Sequence, residues 1–366
     1  MSDDLKQQYC RTLATSSNQI PYSPTYEDIV TITPLVPHIA ESATTLKDWL
    51  SEDDLISPYS GLGRFYEGQG LYSEAEPWYV QCLINCQKRL GEEHPVVAQS
   101  LNNLAVLYYN QGRYAKAEPL YLQALKLYRQ LLGEEHPVVA QSLNNLAGLY
   151  SDQGRYSEAE PLFLQALELR KQLLGEEHPD VAQSLNNLAL LYYNQGRIAE
   201  AEPLYLQALE LYRQLLGEEH PAVAQSLNNL AGLYSEQGRY TEAEPLYLQA
   251  LELYRQLLGE EHFNVGRCLD NLGMLQALQG QKQEAEISYL KALEILQLRL
   301  GVEHPWTVRC RENLEHLKIA KRSDSGVMNQ INFGGTNYQT KTGEGSTNFF
   351  GGLHYHRADV PHKHEG

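Results

Sequence analysis

VAQSLNNLAVLYYNQGRYAKAEPLYLQALKLYRQLLGEEHP, from Val97 to Pro137, is nearly the whole chain in miniature. The same text returns with few changes from Val139, Val181 and Val223, and more loosely on either side. Its clearest beat is the His of Leu-Gly-x-Glu-His: His94, His136, His178, His220, His262 and His304 stand 42 residues apart. A fixed period of this size means stacked supersecondary units, because one unit cannot bury its apolar face alone. Such a stack offers a long groove to a partner and seldom builds a pocket for chemistry.

Each unit reads as two antiparallel helices. Leu101, Leu104, Ala105 and Tyr108 fall at i, i+3, i+4 and i+7, one apolar helical face. Gln111-Gly112-Arg113 breaks the pattern, with Gly supplying a helix C-terminus. The second helix is expected to open on a capping box, Ser73…Glu76, Ser157…Glu160 or Thr241…Glu244. Pro119, Pro161, Pro203 and Pro245 lie near its start, where a lost backbone donor does least harm. Leu120, Tyr121, Ala124, Leu125 and Tyr128 carry the stripe on to Leu132, and Gly133 stops it. Short connections force neighbours antiparallel. The expected fold is all-α: a right-handed α-solenoid of six 42-residue helix-turn-helix repeats with a C-terminal capping helix.

Four parts follow. Residues 1–54 form an N-terminal cap region: Tyr22-Ser23-Pro24 has turn chemistry, and a helix from about Pro37 to Leu50 carries Ile39, Leu46 and Leu50. Residues 55–305 hold the six repeats. Residues 306–322 read as a seventh, unpaired first helix, with Asn313-Leu314 aligned to Asn103-Leu104, and a more polar last helix suits a solenoid end. Residues 323–366 are rich in Gly, Asn and Thr, lack a helical period, and read as a disordered tail.

Forty-six acidic against 29 basic side chains give a formal charge of −17. That balance argues against nucleic acid or an anionic membrane as partner. No run of 18 apolar residues exists, and the start MSDDLKQQYC is acidic, unlike a signal peptide, so a cytoplasmic location is expected.

The search for chemistry yields negatives. The six His recur in register in one inter-helix turn, so they are expected to bond helix ends rather than hold a ligand. Cys82 and Cys86 share a helix face, but their equivalents include Ala124 and Tyr128, which makes them core positions. Gly61-x-Gly63 aligns with Asn103-x-Ala105 and is a packing variant, not a phosphate loop. No catalytic residue, metal site or cofactor is expected.

The functional signal lies on the other face of the first helix. Two columns recur by 42: Asn103, Asn145, Asn187, Asn229 and Asn271, ending at Asn313; and Asn102, Asn144, Asn186 and Asn228, then Asp270. An Asn side chain donates and accepts at once, so it can pair with an extended peptide backbone of any sequence. The same columns could instead tie neighbouring first helices together. Around them the true period is 84. Val106, Tyr109 and Asn110 match Leu190, Tyr193 and Asn194, whereas Gly148, Ser151 and Asp152 match Gly232, Ser235 and Glu236. Two similar shallow sites are expected, each with a carboxylate (Asp152, Glu236) beside a Tyr (Tyr109, Tyr193).

Leu104, Ala105, Tyr108, Gly112, Tyr114, Ala117, Tyr121 and Ala124 resemble the packing positions of the tetratricopeptide repeat. The "LNNLA" opening and the "LG-EHP" ending are similar to the kinesin-light-chain-like subtype, widespread in bacterial proteins, from about Leu55 to Pro305. The resemblance implies that first helices line a concave groove and that Asn of the 103-type column holds a ligand backbone. Kinesin light chains present Lys and Arg where this chain has Asn110, Asp152, Asn194 and Glu236, and the heptad coiled coil is missing. The implied function is therefore a non-enzymatic scaffold binding an extended protein or peptide segment.

The alternative is a self-assembling signalling adaptor. Phe333-Gly-Gly-Thr-Asn-Tyr338-Gln339 returns 17 residues later as Phe350-Gly-Gly-Leu-His-Tyr355-His356. Gly-punctuated aromatics with Asn and Gln suit strands that stack on identical chains. Self-association would then run through the tail.

Overall fold

The structure, a computed structural model, describes residues 2–21 and 24–324. Tyr22 and Ser23 of the expected turn, and the tail with its paired Phe-Gly-Gly motifs, lie outside the described residues. All regular structure among the described residues is helical. Three N-terminal helices, α1 (Asp3–Asn18), α2 (Tyr26–Ile32) and α3 (Val36–Ala43), come first. The helix pairs, units 1 to 6, then follow. They are α4 (Ser57–Glu67) with α5 (Tyr72–Leu90), α6 (Pro95–Asn110) with α7 (Tyr114–Leu132), and α8 (Pro137–Asp152) with α9 (Tyr156–Leu174). Next are α10 (Pro179–Asn194) with α11 (Ile198–Leu216), α12 (Pro221–Glu236) with α13 (Tyr240–Leu258), and α14 (Phe263–Leu278) with α15 (Lys282–Leu300). Helix α16 (Pro305–Asp324) stands after them.

Two junctions make each unit. Within it, Gly112 at φ +71° donates its amide to Tyr109 O, and Arg113 donates to Tyr108 O, both at 2.8 Å. These paired bonds are a left-handed helix terminus that glycine adopts without strain. The next helix starts at once, at Tyr114. Its equivalents α5, α9 and α13 begin one residue ahead of the expected capping boxes, and no side chain caps them. The capping-box expectation was wrong, and the prolines consequently sit in the second helical turn. Glu76, Glu118, Glu160 and Glu202 instead take the guanidinium of the next unit: Arg113 at 2.6 Å, Arg155 and Arg197 at 2.9 Å, Arg239 at 2.8 Å. Arg155, Arg197 and Arg239 also lie 3.8 Å from the ring centre of Tyr150, Tyr192 and Tyr234.

Between units, the recurrent His is the helix cap. The Nδ1 of His94, His136, His178, His220, His262 and His304 accepts the backbone amide two residues on, at 3.1–3.3 Å. This satisfies one orphan donor at each first-helix N-terminus.

Each second helix packs between its own first helix and the next one. First helices also approach one another directly, α4 with α6 and so on to α14 with α16, and no second helix packs comparably on the next. The first helices therefore occupy the inner side of the curve.

The N-terminal helices seat on unit 1 at Gly61, while Gly63 lets the unit's own α5 pack closely on α4. A Cβ at Gly61 would lie 2.7 Å from the Ser17 Cβ of α1, and one at Gly63 would overlap the Tyr79 ring of α5. Arg64, buried, donates to Ile20 O at 2.8 Å and Ser17 O at 2.9 Å. The helix expected from Pro37 to Leu50 is split: after α3 the chain turns at Thr44-Thr45, then makes a short 3-10 turn, Lys47–Trp49. Ile39, Leu46 and Leu50 are all buried. Gly61→Ala is expected to loosen α1 at a cost of about 1–3 kcal/mol. Hydrogen exchange in Asp3–Asn18 should accelerate while units 2 to 5 keep their protection; unchanged exchange in α1 would contradict the close fit.

The stack also comes round on itself. His262 Nε2 lies 2.8 Å from Gly68 O, and His304 Nε2 lies 2.9 Å from Asn110 O, each contact joining residues 194 apart. That separation is between four and five units. Phe263, which stands where the other repeats have Pro, stacks on Trp306 at 5.9 Å and meets the Tyr72 ring at 6.5 Å. Arg267, which replaces a recurrent Gln, lies 3.9 Å from the Trp306 ring. A Cβ on Gly70, at φ +75°, would be 3.1 Å from Phe263. Unit 6 and α16 thus rest on units 1 and 2 along an aromatic seam.

Candidate functional site

The Asn columns form one ladder on the inner helices. Asn145 donates from Nδ2 to Asn102 Oδ1, Asn187 to Asn144, Asn229 to Asn186 and Asn271 to Asn228, each at 3.1 Å. Asn313 of α16 donates to Asp270 at 3.0 Å, continuing the series. Asn103 is the exception: unit 1 holds Ser60 in the acceptor column, and Asn103 Nδ2 has no partner among the described residues. Each rung is a neutral hydrogen bond worth about 0.5–1.5 kcal/mol. Asn103, Asn144, Asn186, Asn228, Asn229 and Asn271 are buried, whereas Asn102, Asn145 and Asn187 are half-buried.

The 84-residue alternation is a packing code between units. Tyr109 of unit 2 donates its hydroxyl to Asp152 of unit 3 at 2.5 Å. Gly148 leaves room for it, since a Cβ there would sit 3.6 Å from the Tyr109 hydroxyl. Tyr193 and Glu236 hold the same two positions one 84-residue period later, with Gly232 in the place of Gly148. Between them, unit 3 presents Ser151 where unit 2 has Tyr109, and unit 4 presents Leu190 where unit 3 has Gly148. A large residue faces a small one in each arrangement. Tyr109 and Asp152 are only 6% and 2% exposed, so their pair is internal. Tyr193 is buried too, and Glu236 is exposed.

Unit 1 varies the code. Glu67 stands where unit 2 has Tyr109, and its carboxylate takes the Tyr79 hydroxyl at 2.7 Å and Asn110 Nδ2 at 2.6 Å. Burial pushes its pKa up to about 7, against the opposite pull of those two hydrogen bonds and of Arg64.

Among the described residues, no group of three His, Cys, Asp or Glu side chains could hold a metal ion. All five cysteines are buried and free, Cys82 and Cys86 included. No helix of the described residues is long and apolar enough to cross a membrane.

The tetratricopeptide repeat family matches five overlapping stretches, 54–130, 97–172, 138–214, 180–256 and 223–298. The chain belongs to the tetratricopeptide repeat family. Similar solved structures include a putative kinesin light chain with nearly identical tetratricopeptide-like repeats from Podospora anserina. It is 29% identical over 56% of this chain and 97% of that one, with a TM-score of 0.43. BtubC (BKLC) from P. vanneervenii is 23% identical over 75% of this chain and 98% of its own, with a TM-score of 0.44. A Rap protein complexed with competence and sporulation factor is 16% identical over 88% of this chain and 98% of its own, with a TM-score of 0.54. That last likeness is one of fold. A search of curated proteins found no match.

Tetratricopeptide repeat solenoids are in general non-enzymatic scaffolds for protein–protein interaction. In this one the ladder was legible as a column, and its inter-unit bonding was one of two readings. The seam was missed. Its signal was available in the places where unit 6 departs from the repeat: Phe263 for Pro, Arg267 for Gln, and Trp306 at the start of α16.

Proposed function

We propose that the inner face of this tetratricopeptide repeat solenoid binds an extended segment of a protein partner. The observation that carries the reading is the continuous Asn ladder with its half-exposed members Asn102, Asn145 and Asn187. Their ladder bonds use one polar atom of Asn102 and Asn187, which leaves the other for a ligand's backbone. The buried members Asn103, Asn144, Asn186, Asn228, Asn229 and Asn271, with Tyr109, Asp152 and Tyr193, shape that surface from beneath. Glu236, exposed on α12, adds negative charge, which favours a basic or neutral segment in a salt-sensitive manner. The Rap protein complexed with competence and sporulation factor shares the fold, which supports a peptide as the kind of partner.

A labelled library of random 15-residue peptides, half Lys-rich and half Glu-rich, tests this on the full chain. Lys-rich peptides should be retained preferentially at low salt, and Asn102→Ala/Asn187→Ala should weaken retention by about 0.5–1.5 kcal/mol per lost bond. Helix content should stay nearly constant. Preference for the Glu-rich half, or unaltered retention by the variant, would sink the reading. Self-assembly through the Phe333 and Phe350 motifs remains the second proposal; it falls on residues outside the described ones, and ending the chain at Lys321 would abolish it while sparing the groove.

A further inference from the structure

We propose that the seam is a reversible, acid-labile clasp that sets whether the superhelix is shut or open. What it gates rests on the groove reading above; its opening does not. The geometry is specific. At His262 and His304 the Nδ1 atom accepts the capping amide, at 3.1 and 3.2 Å, so the proton of the neutral ring is on Nε2. That Nε2–H donates to Gly68 O or Asn110 O of the other turn. Each ring therefore joins a helix start on one turn to a helix end on the next, and it does both only while neutral. The other four histidines cap in the same way, but among the described residues only these two also bond a carbonyl of another turn.

A second proton on Nδ1 would repel the capping amide and place a cation in a buried seam. The surroundings oppose that charge. Arg267 of α14 and Arg299 of α15 face His262, and Arg267 also faces His304. Arg299 is already held by Glu261, and Arg309 by Asp270. From the first turn come the Tyr72 ring of α5, 6.2 Å from His304, and Glu67 of α4, next in sequence to Gly68. Glu67 loses its charge on acidification from pH 7, so it supplies no counter-ion at pH 5.

Burial lowers both histidine pKa values to about 4, against the opposing hydrogen bonds to Gly68 O and Asn110 O. An opened seam returns them to about 6.5. The open form then binds protons first as pH falls. The clasp is intact above 6.5 and weakens from there toward 4, by about tenfold per pH unit per histidine. Two histidines shift the open-to-closed ratio about a thousandfold by pH 5. Glu67 pulls the other way between 7 and 4.5, by at most about eightyfold at pH 5 if opening exposes it, which leaves a net shift of about tenfold or more; both its partners belong to the first turn, which limits that exposure.

The test uses the full chain without peptide, by small-angle scattering and far-ultraviolet circular dichroism at pH 7.5 and 5. The expected result is a larger maximum dimension at pH 5 with unchanged helix content. His262→Asn/His304→Asn keeps a capping side chain but falls short of the other turn. It should be expanded at both pH values and lose the response. Phe263→Ala/Trp306→Ala should likewise expand the molecule at pH 7.5. Equal dimensions for all proteins at both pH values would overturn the clasp. So would expansion that comes only with loss of helix, which is global acid unfolding.

Discussion

Arg170→Ala is expected to cost about 3–5 kcal/mol, and Arg170→Tyr is expected to cost little or to stabilise. Arg170 replaces the Tyr that the repeat has at Tyr128, Tyr212 and Tyr254, and it is 1% exposed. Its guanidinium is bound by neutral acceptors: Asp180 O and Ser184 Oγ at 2.8 Å, Gln183 Oε1 at 3.1 Å and Gln141 Oε1. Burial holds its pKa below the usual arginine value, with Asp180 acting against it. Alanine would leave a cavity beside acceptors that have lost their donors. Tyrosine would refill the space, and Ser184 could donate to the carbonyl four residues back, as Ser100 does to Val96 and Ser142 to Val138. Urea unfolding followed by circular dichroism gives the totals, and exchange in α9 and α10 locates them. Equal losses in the two variants would show that the charge, not the volume, holds this junction.

The second large effect is a coupling. Tyr109→Ser removes a buried ring and strips the enclosed Asp152 of its hydroxyl, for an expected loss of about 3–5 kcal/mol. Gly148→Leu puts a side chain where the Tyr109 hydroxyl lies and should cost about 1–3 kcal/mol. Combined with Asp152→Asn, the two changes rebuild the Ser151, Leu190 and Asn194 arrangement that unit 3 already makes with unit 4. The triple variant should recover at least about 2 kcal/mol relative to the sum of its parts. Simple additivity would mean that the alternation records duplication and nothing more.

What the sequence disclosed followed from what each signal depends on. The helix pairs were legible because Leu101, Leu104 and Tyr108 and their copies obey a local period, and the histidine caps because a recurrence in register demands a recurrent task. Local rules reached less far at α5, α9 and α13. There the capping box matched in composition, but the glycine terminus before it had already fixed the helix start. Tyr109 and Asp152 were placed side by side by the 84-residue period, yet read as a shallow site; that they close a unit boundary depends on curvature, which no single unit encodes. The seam depends on curvature summed over several units. Hence Phe263, Arg267 and Trp306 depart from the repeat, but nothing within one unit says that they meet another turn.

Nearly identical tandem copies invite unequal recombination, which adds or drops whole repeats, and an open array tolerates this because each repeat touches only its neighbours. Here Gly68 must find His262, and Asn110 must find His304, at a separation of 194 residues. Gain or loss of one 42-residue copy between them would bring the wrong repeat opposite Tyr72 and leave Phe263 and Trp306 facing solvent. The contact between turns therefore acts as a molecular counter, fitting one number of repeats and no other.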